Sequence, residues 1–161
     1  MEMTDIARWQ QYLHRPEVYE PTSWNFPQHA DLEKYVWNDM PPSDQTYLRF
    51  AIADGISNEL IGTIGFHTIQ DLNRSAELTY DLIPERWGKG IATTIASDVV
   101  TWAHEHAGVI RIQATVLQSN LKSLRLIERL GFEREGLLRS YRMVRGTPGD
   151  FWMAAHVKPV S

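Results

Sequence analysis

The sequence predicts a single mixed α+β domain. Three observations carry this. Two helical patterns open the chain, three strand-like runs then follow with no helix between them, and a helix precedes each of the next two strands before a last strand closes the chain. A regular βα alternation would predict a parallel sheet, and this order is not one. At 161 residues the chain is one domain long and can bury one sizeable core.

Residues 4–14 predict a short helix with Ile6, Trp9, Tyr12 and Leu13 near one face. Pro16, Pro21 and Pro27 punctuate a loop after it. Helical spacing returns at 30–39 through Leu32, Tyr35 and Val36, and Pro41-Pro42 stops it. The runs 47–52 and 60–67 flank Asp54-Gly55, a turn signal that makes them a hairpin. A third strand spans 76–83 and ends at Pro84. Residues 90–106 predict a helix whose apolar stripe is Ile91, Ile95, Val99 and Trp102. The alternating run 110–116 predicts a strand. Asn120 caps the next helix, because its side chain accepts a bond from an orphan backbone N–H. Gly131 ends that helix as a left-handed residue, with Phe132 packing back on Ile127. Strands at 132–143 and 151–157 finish the chain, joined across 145–149.

The formal charge is −4, from 16 basic and 20 acidic residues, which argues against a general nucleic-acid binder. There are no cysteines, which removes disulfides, thiolate metal sites and a cysteine nucleophile. Glu2, Asp5 and Arg8 interrupt any signal-peptide core. No apolar run approaches the roughly 18 residues of a membrane helix, so the default expectation is a cytoplasmic protein with no membrane partner. His104-Glu105-His106 is not the zinc motif H-E-x-x-H. On a helix its two histidines face different sides, so a solvated helix end is expected there and no metal.

The informative unit is the strand 76–83 running through Trp87-Gly88-Lys89-Gly90 into a helix. Gly88 and Gly90 let backbone approach a ligand closely, and a helix start presents unpaired N–H groups suited to a pyrophosphate. A plain turn in which glycine relieves strain accounts for the same residues equally well. Two rival phosphate motifs fail. Gly88-Lys89-Gly90 is too short for a P-loop, and Thr93 stands where a dinucleotide fingerprint needs Gly or Ala.

At these residues the sequence resembles the GNAT superfamily of N-acetyltransferases, and within it the branch of ribosomal-protein N-terminal acetyltransferases of RimJ/RimL type. The resemblance rests on Ala76-Glu77-Leu78-Thr79-Tyr80 leading into Trp87-Gly88-Lys89-Gly90-Ile91-Ala92, on Asn120-Leu121-Lys122-Ser123 followed by Leu130-Gly131-Phe132, and on Glu135-Gly136-Leu137-Leu138-Arg139 with Gly149-Asp150. It covers roughly residues 45–158. It implies a central twisted mixed sheet with helices on both faces. The family's first strand would precede the helix at 4–14, where this chain has almost nothing. The sheet edge is therefore expected to lack it, and a homodimer is one way to make up the loss.

The resemblance further implies acetyl-CoA as acyl donor and a primary amine as acceptor, either a protein N-terminus or a small molecule. Leu82, Ile83, Trp87, Gly88, Lys89, Gly90, Ile91, Ala92, Thr93, Asn120 and Ser123 would bind the cofactor. Strand 76–83 would splay near Tyr80 to Ile83, freeing backbone N–H groups such as that of Leu82 to act as an oxyanion hole. Glu77 is the first candidate base and Asp81 its reserve. An ion pair with an arginine would explain a Glu at 77 as well. Ser123 would face the cofactor thiol, though a helix-start Ser also serves a cap. Many family members place a Tyr, the acid for the leaving thiolate, where this chain has Ile127, leaving Tyr80 and Tyr141 as other donors. Trp9, Tyr12, Trp24, Phe26 and Trp37 are expected mostly in the core, with one or two lining the acceptor pocket beside His14, Asn25 or His29. A non-catalytic acyl-CoA-binding module is the alternative reading.

Overall fold

The computed structural model describes residues 1–25, 27–36 and 47–159. The expected end of the second helical pattern, Pro41-Pro42, Phe26 and Trp37 lie outside the described residues. Helix α1 spans Asp5–Leu13 and buries Ile6, Trp9, Tyr12 and Leu13, the face read from the spacing. Pro16 does more than punctuate a loop. It opens a single helical turn, α2 (Pro16–Tyr19), where its missing N–H costs nothing. Helix α3 is His29–Glu33.

Among the described residues six strands follow: β1 (Tyr47–Ala53), β2 (Leu60–Gln70), β3 (Ser75–Leu82), β4 (Arg111–Leu117), β5 (Glu133–Val144) and β6 (Thr147–Val157). They form one sheet in the order β1-β2-β3-β4-β6-β5. Only β3 and β4 pair in parallel; the other neighbours are antiparallel. Among the described residues no strand precedes α1, so β1 is an edge. The β1–β2 connection is longer than an Asp-Gly turn. Asp54 accepts the N–H groups of Ile56 and Ser57 and shapes a loop out to Asn58. At Gly65 a Cβ would lie 1.9 Å from Leu48 O, so β1 can cross there only over glycine.

Helices α4 (Ile91–Glu105) and α5 (Leu121–Arg129) join the larger core cluster with the sheet, while α1, α2 and α3 form the smaller one. The buried stripe of α4 is Ala96, Val100 and Ala103, one position on from the stripe read in the sequence. These three side chains are buried in the larger core cluster. Trp102 is left at the flank, edge-on to Phe50. His104 corrects another expectation. It is buried, bonded to Val109 O at 2.8 Å and to His156 at 2.9 Å, because the chain returns past it through 108–109. Only Glu105 and His106 are solvated there.

Candidate active site

Two clefts meet at one hydrogen bond. A cleft of about 440 Å3 lies over the start of α4 and is bounded by Leu82, Trp87 and the first turns of α5. A second, of about 330 Å3, lies over β3 and β4 and is walled by Trp24 and Tyr35. Both are lined by Tyr80, Asn120 and Ser123. There Tyr80 Oη and Ser123 Oγ stand 2.5 Å apart.

The first cleft is built from the Gly-rich turn. Trp87 Nε1 donates to Leu82 O at 2.8 Å, and the Lys122 ammonium sits 4.0 Å above the Trp87 ring. These contacts fix the approach to Gly88 and Gly90, whose φ values of +72° and +77° favour glycine. Gly90 N-caps α4 without any side-chain bond. The first helical N–H to fold back is that of Thr94, to Gly90 O, so those of Ile91, Ala92 and Thr93 remain for a ligand. A Cβ at Gly88 or Gly90 would meet no atom within 4 Å, so the space above the helix start is open. Arg86, Lys122, Arg125 and Arg129 also line this cleft, against Glu17 and Asp81. Aligned N–H groups and a surplus of cations fit a pyrophosphate carrying a further phosphate. Of the cofactor residues expected from the sequence, Lys89 is exposed outside this lining, and the Ile83 N–H is bonded to Ile61 O. The other nine line the cleft.

The sheet opens between the clefts. β4 pairs with β3 only as far as Glu77 opposite Gln113, so the strands part before Tyr80, earlier than the resemblance implied. Because the Ile83 N–H bonds β2, antiparallel alternation turns the N–H groups of Tyr80 and Leu82, beyond the last β3–β4 pair, into the gap. Asn120 Oδ1 accepts the Ser123 N–H at 3.1 Å and so sets the first turn of α5 against the gap. Burial pushes the Tyr80 pKa up to about 12, with the Ser123 bond pulling slightly the other way. The phenol therefore keeps its proton at neutral pH. Ile127 is fully buried in the core, and Tyr141 lies outside both clefts.

In the second cleft Glu77 is buried. It accepts from Thr115 Oγ1, from Gln113 Nε2 at 3.4 Å and from Arg142 at 3.1 Å. The arginine pair that could explain this carboxylate is thus present, and so is a titratable neighbour. His67 Nε2 lies 3.5 Å from Glu77 Oε1. Burial holds the His67 pKa below its usual 6.5, Glu77 opposes this, and Arg142 and Arg49 add to it. Its imidazole is neutral at pH 7. A register shift in β2 after His67 puts the β-branched Thr68 at φ +54°, with its hydroxyl 2.9 Å from His67 Nδ1. Such a conformation costs about 1–2 kcal/mol and here aims a side chain.

Asp81 shares the Glu77 face of β3 but lies outside the lining of the second cleft. It accepts from Tyr12, Trp9, Arg49 and both the N–H and hydroxyl of Thr63, which joins α1 to the sheet. Trp9 and Tyr12 are core, whereas Trp24 and Tyr35 wall the second cleft. His14, Asn25 and His29 do not line it. Asn25 helps hold the wall, since its Oδ1 accepts the Arg145 N–H at 2.7 Å, and Arg145 itself donates to the carbonyls of Tyr19, Glu20, Thr22 and Trp24. Sequence reasoning missed His67 and Arg142. Each stands at an edge of a register irregularity, which hydrophobic alternation does not reveal.

Comparison with known proteins shows the family and the fold. A family model described as an acetyltransferase (GNAT) domain matches residues 1–133. An uncharacterized N-acetyltransferase, YoaA, of Bacillus subtilis is 42% identical over 112 residues, which are 70% of this chain and 63% of that protein. Another, p20 of Bacillus licheniformis, is 33% identical over 98% of this chain and 90% of its own length. The fold matches a crystal structure of spermidine N-acetyltransferase from Vibrio cholerae in complex with CoA and spermine. The TM-score is 0.83 at 23% identity, covering 98% of this chain and 92% of that one.

Proposed function

We propose that this chain, which belongs to the GNAT acetyltransferase family, moves an acetyl group from acetyl-CoA directly to a primary amine held beside it. One observation carries the reading: the Tyr80–Ser123 hydrogen bond lies where a cationic, helix-capped cleft joins a second, aromatic-walled one. The cofactor supplies an acyl group on a thioester. The N–H groups of Ile91, Ala92 and Thr93 hold its pyrophosphate, and the Leu82 N–H faces the acyl oxygen. The resemblance to the RimJ/RimL-type branch keeps a protein N-terminus among the acceptors, beside small amines.

The acceptor reacts as the neutral amine, its ammonium proton released to water beforehand, and it loses a second proton as its nitrogen attacks the carbonyl carbon. His67, neutral at pH 7, takes that proton, and Glu77 stabilises the imidazolium that forms. The C–S bond then breaks and leaves a thiolate. A simple thiol titrates near ~8.5, so full transfer from a phenol at about 12 runs uphill. Tyr80 and Ser123 therefore act by hydrogen bonding to the thiolate rather than by surrendering a proton.

Two outcomes follow from these roles. Tyr80→Phe should lower kcat by about 10²-fold, the scale of losing one donor to a developing anion, and Ser123→Ala by less. An unchanged kcat in Tyr80→Phe removes the donor. Glu77→Gln should lower kcat with little loss of acetyl-CoA affinity. It should also move the acidic limb of the kcat profile to lower pH. The sign follows from charge: Glu77 favours the imidazolium, so its removal, which also leaves Arg142 unpaired, lowers the His67 pKa further. A limb that stays in place removes the His67–Glu77 pair from the chemistry.

The reading as a whole is tested by thiol release from acetyl-CoA with a broad amine panel. Amine-dependent release supports it. Tight CoA binding with no release on any amine supports a non-catalytic acyl-CoA-binding module instead.

A further inference from the structure

The second cleft carries charge in an arrangement that selects its occupant. Resting on acetyl transfer as read above, we infer that the acceptor is an α-amino acid, and that Arg142 receives its carboxylate.

A polyamine carries several cations, and the described lining of this cleft holds one carboxylate. Among the described residues that carboxylate is Glu77, which also meets Thr115, Gln113 and Arg142. Asp81, four residues along the same face of β3 and outside the lining, is occupied by donors from four residues. Of the two guanidinium groups in the lining, that of Arg49 is spent. It bonds Thr63, Thr79 and Asp81 and lies 4.9, 5.5 and 5.9 Å from the ring centroids of Trp9, Tyr35 and Trp24.

Arg142 differs. Its side chain is 32% exposed and lines the cleft. One nitrogen, Nη2, serves Glu77, while the fork lies over Tyr141 and Phe151, at 4.9 and 5.7 Å, which hold its plane. A planar fork with donors to spare is the side chain best matched to a carboxylate. Beside it, Glu77 and His67 stand where an amine must give up its proton. Cation and anion are thus adjacent in the protein, 3.1 Å apart, as ammonium and carboxylate are adjacent in an α-amino acid. Trp24 and Tyr35 wall the remaining space and would meet the amino acid's side chain.

The test uses the whole chain and acetyl-CoA with the protein amino acids, their amides, spermidine and a short peptide with a free N-terminus, read as thiol release. At least one amino acid should be turned over, with kcat/KM about 10- to 100-fold above its own amide, the worth of a hydrogen-bonded charge. In Arg142→Gln that acid-to-amide ratio should fall toward 1, and Arg142→Lys should restore part of it. The ratio cancels any general loss from leaving Glu77 unpaired, and an acetyl-CoA titration of each variant confirms that it is folded. Turnover of spermidine or the peptide with no amino acid turned over overturns the assignment and leaves acetyl transfer standing. So does an acid-to-amide ratio that Arg142→Gln leaves unchanged. No release with any amine overturns both.

Discussion

Gly90→Trp is expected to weaken acetyl-CoA binding by at least about 100-fold while the protein stays folded. That loss corresponds to roughly 3 kcal/mol of binding free energy. Two effects act in the same direction. The residue sits at φ +77°, so any side chain costs about 1–2 kcal/mol of backbone strain. An indole would also lie in the open space over the unpaired N–H groups of Ile91, Ala92 and Thr93. A Cβ there meets no atom within 4 Å, so the substitution collides with nothing in the free protein. Gly90→Ala separates the effects, because it keeps the strain and leaves the space open. It should lose far less affinity than the tryptophan variant. Calorimetric titration with acetyl-CoA, beside a thermal melt, reads both. Wild-type affinity in a folded Gly90→Trp variant removes the cofactor assignment.

The second large effect is on stability. Asp81→Ala should destabilise the fold by about 3–5 kcal/mol, the cost of breaking a buried ion pair from one side. At this chain length that lowers Tm by roughly 10 °C. Asp81 is buried and gathers Tyr12 at 2.5 Å, Trp9 at 3.3 Å, Arg49 at 2.5 Å and Thr63 through two donors. Removing it strands a guanidinium whose side chain is 3% exposed and cuts α1 from the sheet. Burial raises the Tyr12 pKa well above its usual 10, and the Asp81 charge and hydrogen bond raise it further, so the phenol stays a donor at every ordinary pH. A thermal or urea melt measures the loss. A shift of less than about 2 °C would mean that α1 is held by its apolar face alone.

Local patterns carried most of the fold into the sequence. The buried face of α1, the Asn120 cap and the left-handed Gly131, at φ +83° with the Phe132 N–H bonded to Ile127 O, all depend on neighbours a few residues apart. The Gly88–Gly90 turn was legible for the same reason. What the sequence hid depends on register and on long-range return of the chain. The α4 stripe differs by one position because the small Ala96 and Ala103 are the buried residues, which apolarity alone does not show. His104 was misread because its partner, His156, lies 52 residues away. His67 and Arg142 escaped notice because each borders a strand irregularity that sets where its side chain goes. Glu77 was legible as an unusual acid in an apolar strand, but whether it is buried and which partners it meets are tertiary facts.

The most direct measurement is a crystal structure of the protein with bound CoA. It should place the pyrophosphate on the N–H groups at the start of α4 and the thiol within hydrogen-bonding distance of Tyr80 Oη or Ser123 Oγ, at the mouth of the second cleft. CoA seated elsewhere, or a thiol turned away from that pair, would contradict this account.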